Sequence, residues 1–152
     1  MKNIRIVIDG DSCPVIKIIE DISIKYNITA ILFCSYCHVP NKKSNIKYCI
    51  VDSYPQAVDL AIINDIKNGD IVVTQDYGLA SIVLSKGARA ISPNGKIYLN
   101  ESIDILLYNR HLNKEIRKAG GKIKGNHKRN RKDNINFERN LIRLIEDTQN
   151  LL

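Results

Sequence analysis

Four of the sixteen acidic residues in this 152-residue sequence stand where a carboxylate does chemistry. Asp9 directly follows the apolar run of residues 4–8, which only Arg5 interrupts, and it precedes a glycine. Asp11 comes two residues later, in the turn Asp9-Gly10-Asp11-Ser12-Cys13-Pro14, and Asp76 closes Ile71-Val72-Val73-Thr74-Gln75-Asp76. Asp59 lies within Ala57-Val58-Asp59-Leu60-Ala61-Ile62-Ile63. A carboxylate among such neighbours is costly to bury unless it is paired, hydrogen-bonded or bound to a cation. Ionised carboxylates that converge on one spot repel, and Mg²⁺ or Mn²⁺ is the hard cation suited to neutralise an all-oxygen cluster. Such a centre would polarise a phosphoryl oxygen, lower the pKa of an attacking water and steady a leaving 3′ oxygen. Simpler roles compete: Asp11 and Asp76 both precede helical patterns and could act as N-caps, and Asp59 could make a buried hydrogen bond. Asp9 comes too early to cap the helix that Pro14 opens.

The second chemical signal is charge. Residues 1–109 hold eleven Lys/Arg against eleven Asp/Glu, so the net +7 arises beyond them. Residues 110–132 carry Arg110, Lys114, Arg117, Lys118, Lys122, Lys124, Lys128, Arg129, Arg131 and Lys132 against the single acid Glu115. Gly120, Gly121 and Gly125 in the same stretch would let backbone approach a phosphate closely. The block fits the electrostatic footprint of a nucleic-acid partner, with RNA the expected polymer; a solvated connection is the plainer alternative.

Positioning these groups requires strands alternating with helices. Residues 4–8, 28–34, 46–51, 71–74 and 88–91 read as short buried strands, with a further strand-like piece at 96–99 after Pro93-Asn94-Gly95. Helical spacing joins Val15, Ile18, Ile19, Ile22 and Tyr26, then Val58, Ala61, Ile62 and Ile66, then Leu79, Ile82 and Val83. Asn100 is placed to cap a helix with Ile103, Leu106, Leu107 and Ile116 inward, and residues 137–151 form the last helical segment. This alternation predicts one α/β domain, a three-layer α/β/α arrangement with a mainly parallel sheet. The basic helical and loop extension, 110–152, is expected to pack on the 1–109 core. Strand C-termini then share one edge, where open α/β sheets bind ligands. Asp9, Asp11 and Asp76 all fall there.

Together these motifs resemble the YaiI/YqxD family of uncharacterised bacterial proteins, whose fold is similar to PIN-type nuclease domains. The resemblance spans nearly the whole chain. It rests on Ile8-Asp9-Gly10-Asp11-Ser12-Cys13-Pro14, on residues 69–80 (Gly-Asp-Ile-Val-Val-Thr-Gln-Asp-Tyr-Gly-Leu-Ala), and on Asn109-Arg110 with the basic tail behind. It implies a PIN-like sheet and carries metal-binding carboxylates onto Asp9, Asp59 and Asp76, with Asp11 an additional acid. Asp59 stands where many PIN nucleases have Glu. The expected activity is metal-dependent phosphodiester hydrolysis with Asp9, Asp59 and Asp76 as catalytic residues. A non-catalytic nucleic-acid-binding or interaction module is the alternative. A third reading, less favoured, rests on Asp9-Gly10-Asp11, which is similar to the nucleophile loop of haloacid-dehalogenase-like phosphatases.

No run of apolar residues is long enough to span a membrane, and Met1-Lys2-Asn3 leads straight into a strand, so a cytoplasmic protein without membrane association is expected. On that expectation Cys13, Cys34, Cys37 and Cys49 are reduced thiols. Cys34-Ser35-Tyr36-Cys37-His38 matches a haem-attachment pattern on paper, but attachment requires export. His38 could meet substrate phosphate or cap its loop.

Overall fold

The computed structural model describes residues 3–10, 13–35, 45–123 and 128–151. In chain order the elements are β1 (Arg5–Asp9), α1 (Ile16–Tyr26), β2 (Thr29–Cys34), β3 (Ile46–Ile50), α2 (Ala57–Asp65), β4 (Ile71–Val73), α3 (Tyr77–Ser85), β5 (Arg89–Ile91), α4 (Asn100–Lys118) and α5 (Arg131–Leu151). One sheet runs β3-β2-β1-β4-β5, and each neighbouring pair is parallel. The chain winds outward from β1 in one direction to β3, then crosses back to β4 and β5. The order therefore reverses between β1 and β4, leaving a crevice at the carboxyl ends of those two strands.

Side-chain alternation decides which helix covers which face. Ile6, Ile8, Leu32, Ile71, Val73 and Ile91 point to one side, where Ile19 and Ile22 of α1 meet Phe137, Leu141, Leu144 and Ile145 of α5. Val7, Phe33, Val72 and Ala90 point to the other, against α2, α3 and the first turns of α4. The four α5 residues recur at helical spacing, and burying each contributes roughly 1.5–3 kcal/mol. This helix completes the layer that α1 begins. Gly95 permits its close docking: at φ +92° it lies so near α5 that a Cβ would stand 2.6 Å from the Asn136 carbonyl carbon. Asn136 and Asn140 donate to the carbonyls of Asn94 and Gly95.

At the opposite, amino edge of the sheet, Arg5 ties three elements together. Its guanidinium donates to both carboxylate oxygens of Asp70 and to Asp65 at the end of α2. Asp70 is 2% exposed and also accepts from the Lys67 amide.

Several sequence expectations need correction. Residues 96–99 form an antiparallel bridge, Ile91 to Ile97, with the Tyr98 amide donating to the Ala90 carbonyl, and not a full strand. Asn100 is the first helical residue and Leu99 occupies the cap position without a side-chain bond. Ile116 is 44% exposed instead of inward, since α4 leaves the body after its first half. Helix α5 begins six residues earlier than apolar spacing suggests, at Arg131. Its start is set by reciprocal bonds, Asn130 N to Asp133 Oδ2 and Asp133 N to Asn130 Oδ1, a capping box that hydrophobic periodicity cannot register. Cys13 and Cys49 are free thiols, but Cys34 is disulfide-bonded, which corrects the expectation of reduced thiols throughout. A compartment argument treats cysteines as a population and is blind to local geometry. Among the described residues no helix is long and apolar enough to cross a membrane.

Candidate active site

Asp9 is the last residue of β1, paired in register with Phe33 of β2. Gly10 follows because nothing larger fits: a Cβ there would stand 2.7 Å from the Phe33 carbonyl oxygen, whose hydrogen bond from the Gly10 amide is 2.8 Å long. The carboxylate is half-buried and accepts a 2.8 Å bond at Oδ2 from the Thr74 hydroxyl. The same Thr74 oxygen accepts from the Asp76 amide at 3.0 Å. One buried hydroxyl thus spans the crevice between β1 and β4 and couples the two acids. The Thr74 carbonyl in turn accepts from the buried Tyr98 phenol, and Tyr98 packs edge-on against Tyr77 with centroids 5.9 Å apart.

Asp76 caps α3. Its Oδ1 accepts from the amides of Gly78 and Leu79 at 2.8 and 3.3 Å, satisfying orphan donors of the first turn. Arg110 approaches the same oxygen at 3.5 Å, with the arginine side chain 63% exposed. All these contacts fall on Oδ1; Oδ2 accepts no hydrogen bond among the described residues. Capping and ligand binding are therefore not rivals at Asp76, because they use different oxygens. Asp9, Gln75, Asp76, Tyr77 and Arg110 line one cleft of about 390 Å³.

Asp59 lies in the first turn of α2, which packs on β1 and β2. Asp65, six residues further along that helix, reaches Arg5 at the amino edge. At 1.5 Å per residue, Asp59 stands about 9 Å above Asp65, near the upper level of the sheet. It is half-buried and engaged with other groups, and it does not line the Asp9–Asp76 cleft. Among the described residues no three His, Cys, Asp or Glu side chains form a group able to hold a metal ion. Asp11, Tyr36, Cys37, His38 and Lys124 lie outside the described residues.

The basic side chains fall into two sets. Arg110, Lys114, Arg117 and Lys118 recur at helical spacing on α4, making one exposed stripe that begins at the acidic cleft. Lys128, Arg129, Arg131 and Lys132 gather where the chain enters α5, and Lys122 is exposed between the two sets. Arg129 lines a second cavity of about 350 Å³ that shares Gln75 and Tyr77 with the first. Burial pushes the Cys13 thiol pKa up; the nearby Asp9 charge adds to this and Arg129 opposes it.

Thr74, Tyr98 and Gln75 join the site without having been singled out as site residues from sequence. The signal for Thr74 was present in Thr74-Gln75-Asp76: a hydroxyl two residues before an acid at a strand end can accept from that acid's amide. Tyr98 had no local signal, because its partner lies 24 residues away.

Fold and site define a class: a three-layer α/β domain with a parallel sheet and an acidic cleft at its switch point. The family model described as "Uncharacterized BCR, YaiI/YqxD family" matches residues 7–147, and the chain belongs to that family. It is 45% identical over 149 residues to a UPF0178 protein of Clostridium perfringens, covering 97% of this chain and 99% of the relative. A UPF0178 protein of Clostridium tetani is 46% identical over 142 residues, 93% of this chain and 96% of its own. One from Exiguobacterium sibiricum is 42% identical over 143 residues, 94% and 97% of the two chains. No solved structure matches the chain.

Proposed function

We propose that this protein is a metal-dependent phosphodiesterase of PIN-like type acting on nucleic acid, with RNA as the expected polymer. The observation that carries the reading is the pairing of Asp9 and Asp76 in one cleft through the Thr74 hydroxyl, with Arg110 beside them. Mg²⁺ commonly binds through one or two carboxylates, several waters and substrate phosphate oxygens, so two facing acids suit it, or Mn²⁺, without a complete protein cage. Asp9 and the Oδ2 of Asp76 would hold the ion, and Asp11 and Asp59 are the further acids that the family resemblance brings to this reading. When bound, the ion supplies charge neutralisation and activation of water.

The chain's own residues then have distinct work. Thr74 fixes the Asp9 carboxylate and sets the turn that presents Asp76. Arg110 is exposed and only loosely paired, so it is free to swing onto a phosphate oxygen. The α4 stripe extends that positive field along a strand. Arg131 and Lys132 occupy the first turn of α5, where the helix dipole disfavours cations by roughly 0.3–1 kcal/mol each. Their presence at an unfavourable place supports a role in holding a polyanion.

The test is incubation of single-stranded RNA with Mn²⁺. Cleavage by the native chain and none by Asp9→Asn at equal folded concentration is the expected result. Equal cleavage by both would assign the activity to a contaminant and defeat the reading. A second reading, a nucleic-acid-binding module without turnover, is favoured by the exposed basic stripe of Arg110, Lys114, Arg117 and Lys118 on α4, which needs no metal to hold a polyanion. It predicts salt-sensitive binding with no cleavage under any divalent ion.

A further inference from the structure

Beside the acidic cleft lies the second cavity, bounded by the β4–α3 turn, the 92–96 turn after β5, and Arg129 at the entrance to α5. Its volume of about 350 Å³ sits at the low end of the roughly 300–1,000 Å³ typical of small-molecule sites, room for one small ligand and not for an oligomer. Tyr77 walls both cavities, and its ring is held by edge-on contact with Tyr98, whose hydroxyl is fixed to the Thr74 carbonyl. A fixed aromatic wall is a stacking surface for a planar base. Asn94, whose Oδ1 accepts from the Ser92 hydroxyl, presents its Nδ2 to the lining, and Asp133, whose Oδ2 accepts from the Asn130 amide, adds a carboxylate; amide and carboxylate suit base edges or ribose hydroxyls. Lys96 and Arg129 bring two cations. Arg129 holds Asn134 with Nε and Nη2, and its Nη1 donates to no acceptor among the described residues.

The pocket is also rigid. Ser92 N bonds the Lys96 carbonyl, Ser92 Oγ accepts from the Lys96 amide, and Asn136 and Asn140 clamp the turn to α5. A preformed wall loses little freedom on binding.

We propose that this cavity is a mononucleotide subsite, holding the nucleotide next to the phosphodiester bound at Asp9 and Asp76. The assignment of substrate class rests on the phosphodiesterase reading of the neighbouring cleft. A base stacks on Tyr77, Asn94 and Asp133 meet its edge or its sugar, and Lys96 with Arg129 takes a phosphate. One nucleotide is thus gripped while the adjoining linkage lies in the acidic cleft.

The full chain is titrated with 5′-AMP and 5′-UMP in EDTA, with inorganic phosphate and adenosine as separate arms, following backbone amide resonances. Saturable shifts at Ser92, Asn94 and Lys96 with the mononucleotides are expected, with weaker effects from phosphate or adenosine alone. Tyr77→Leu should weaken 5′-AMP on the order of tenfold while sparing inorganic phosphate, and Lys96→Ala should weaken both. If Tyr77→Leu does not keep a native amide spectrum, Asn94→Ala serves, again weakening the nucleotide and not the phosphate. Absence of saturable shifts at this turn, or equal shifts from inorganic phosphate, overturns the proposal. Because chelated protein cannot perform metal-dependent cleavage, this result is independent of the RNA assay: nucleotide binding without any cleavage would defeat the phosphodiesterase reading and leave the pocket standing.

Discussion

A single hydroxyl, that of Thr74, serves an acid on each side of the crevice, and the division of labour at Asp76 can be tested just as locally. Asn is as good an N-cap as Asp, so Asp76→Asn should retain the α3 cap and change stability by less than about 0.5 kcal/mol. It removes the charge, however, and Mn²⁺ binding measured by calorimetry should fall at least on the order of tenfold. Asp76→Ala should lose both, with about 1 kcal/mol of stability gone in urea unfolding. If Asp76→Asn binds Mn²⁺ as the native chain does, Asp76 is a cap and nothing more.

The elements are held in register from the edge remote from the site. Arg5 at the start of β1 neutralises buried Asp70 before β4 and also grips the end of α2. Removing one partner of a buried pair leaves an uncompensated charge, which typically costs about 3–5 kcal/mol. Arg5→Met should therefore lower the unfolding free energy by roughly that amount. The double variant Arg5→Met/Asp70→Leu should recover much of the loss, because no orphaned charge remains. A fall of less than about 1 kcal/mol in the single variant would mean the pair acts as a surface bridge. The same segment, β1, carries a structural ion pair at its first residue and a candidate ligand at its last.

For the whole molecule, charge and protonation give two measurable dependences. If the basic set grips a single strand, log K falls linearly with log salt at about 0.7 per phosphate contacted. Replacing Lys128, Arg129, Arg131 and Lys132 by alanine should reduce that slope by about 3 if each contacts one phosphate. Binding that ignores salt would exclude the polyanion role. At high pH, burial raises Tyr98 well above its ordinary value of 10.0, with the Tyr77 and Asp76 charges adding to it. An acid whose folded pKa is raised keeps its proton in the native state while the unfolded chain releases it. Its stabilisation is therefore complete below pH 10 and is lost progressively as pH rises above. Unfolding free energy should decline from about pH 10, and Tyr98→Phe should flatten that decline while lowering stability by about 1–3 kcal/mol at pH 7, through the unpaired Thr74 carbonyl. An identical alkaline profile in the two proteins would mean Tyr98 is not the group responsible.

The alternation of strands and helices, the place of Asp9 at the end of β1 and of Asp76 in the turn between β4 and α3, and the basic block after residue 109 are all legible in the sequence. These are local properties: β-branched runs, helical spacing, and an acid or a glycine at a strand's end are written in consecutive residues. Tertiary structure alone decided the order β3-β2-β1-β4-β5, which makes Asp9 and Asp76 neighbours, and the Thr74 bridge between them. It also decided that α4 carries its basic stripe away from Arg110, that α5 shares a layer with α1, and that Tyr77 walls two cavities. Each depends on contacts between residues tens of positions apart, and nothing in the local pattern records which distant partner a buried side chain will meet. Asp59 marks the boundary between the two: its apolar neighbours revealed that it would be sheltered, whereas the height it takes beside the sheet follows from how α2 packs on β1 and β2.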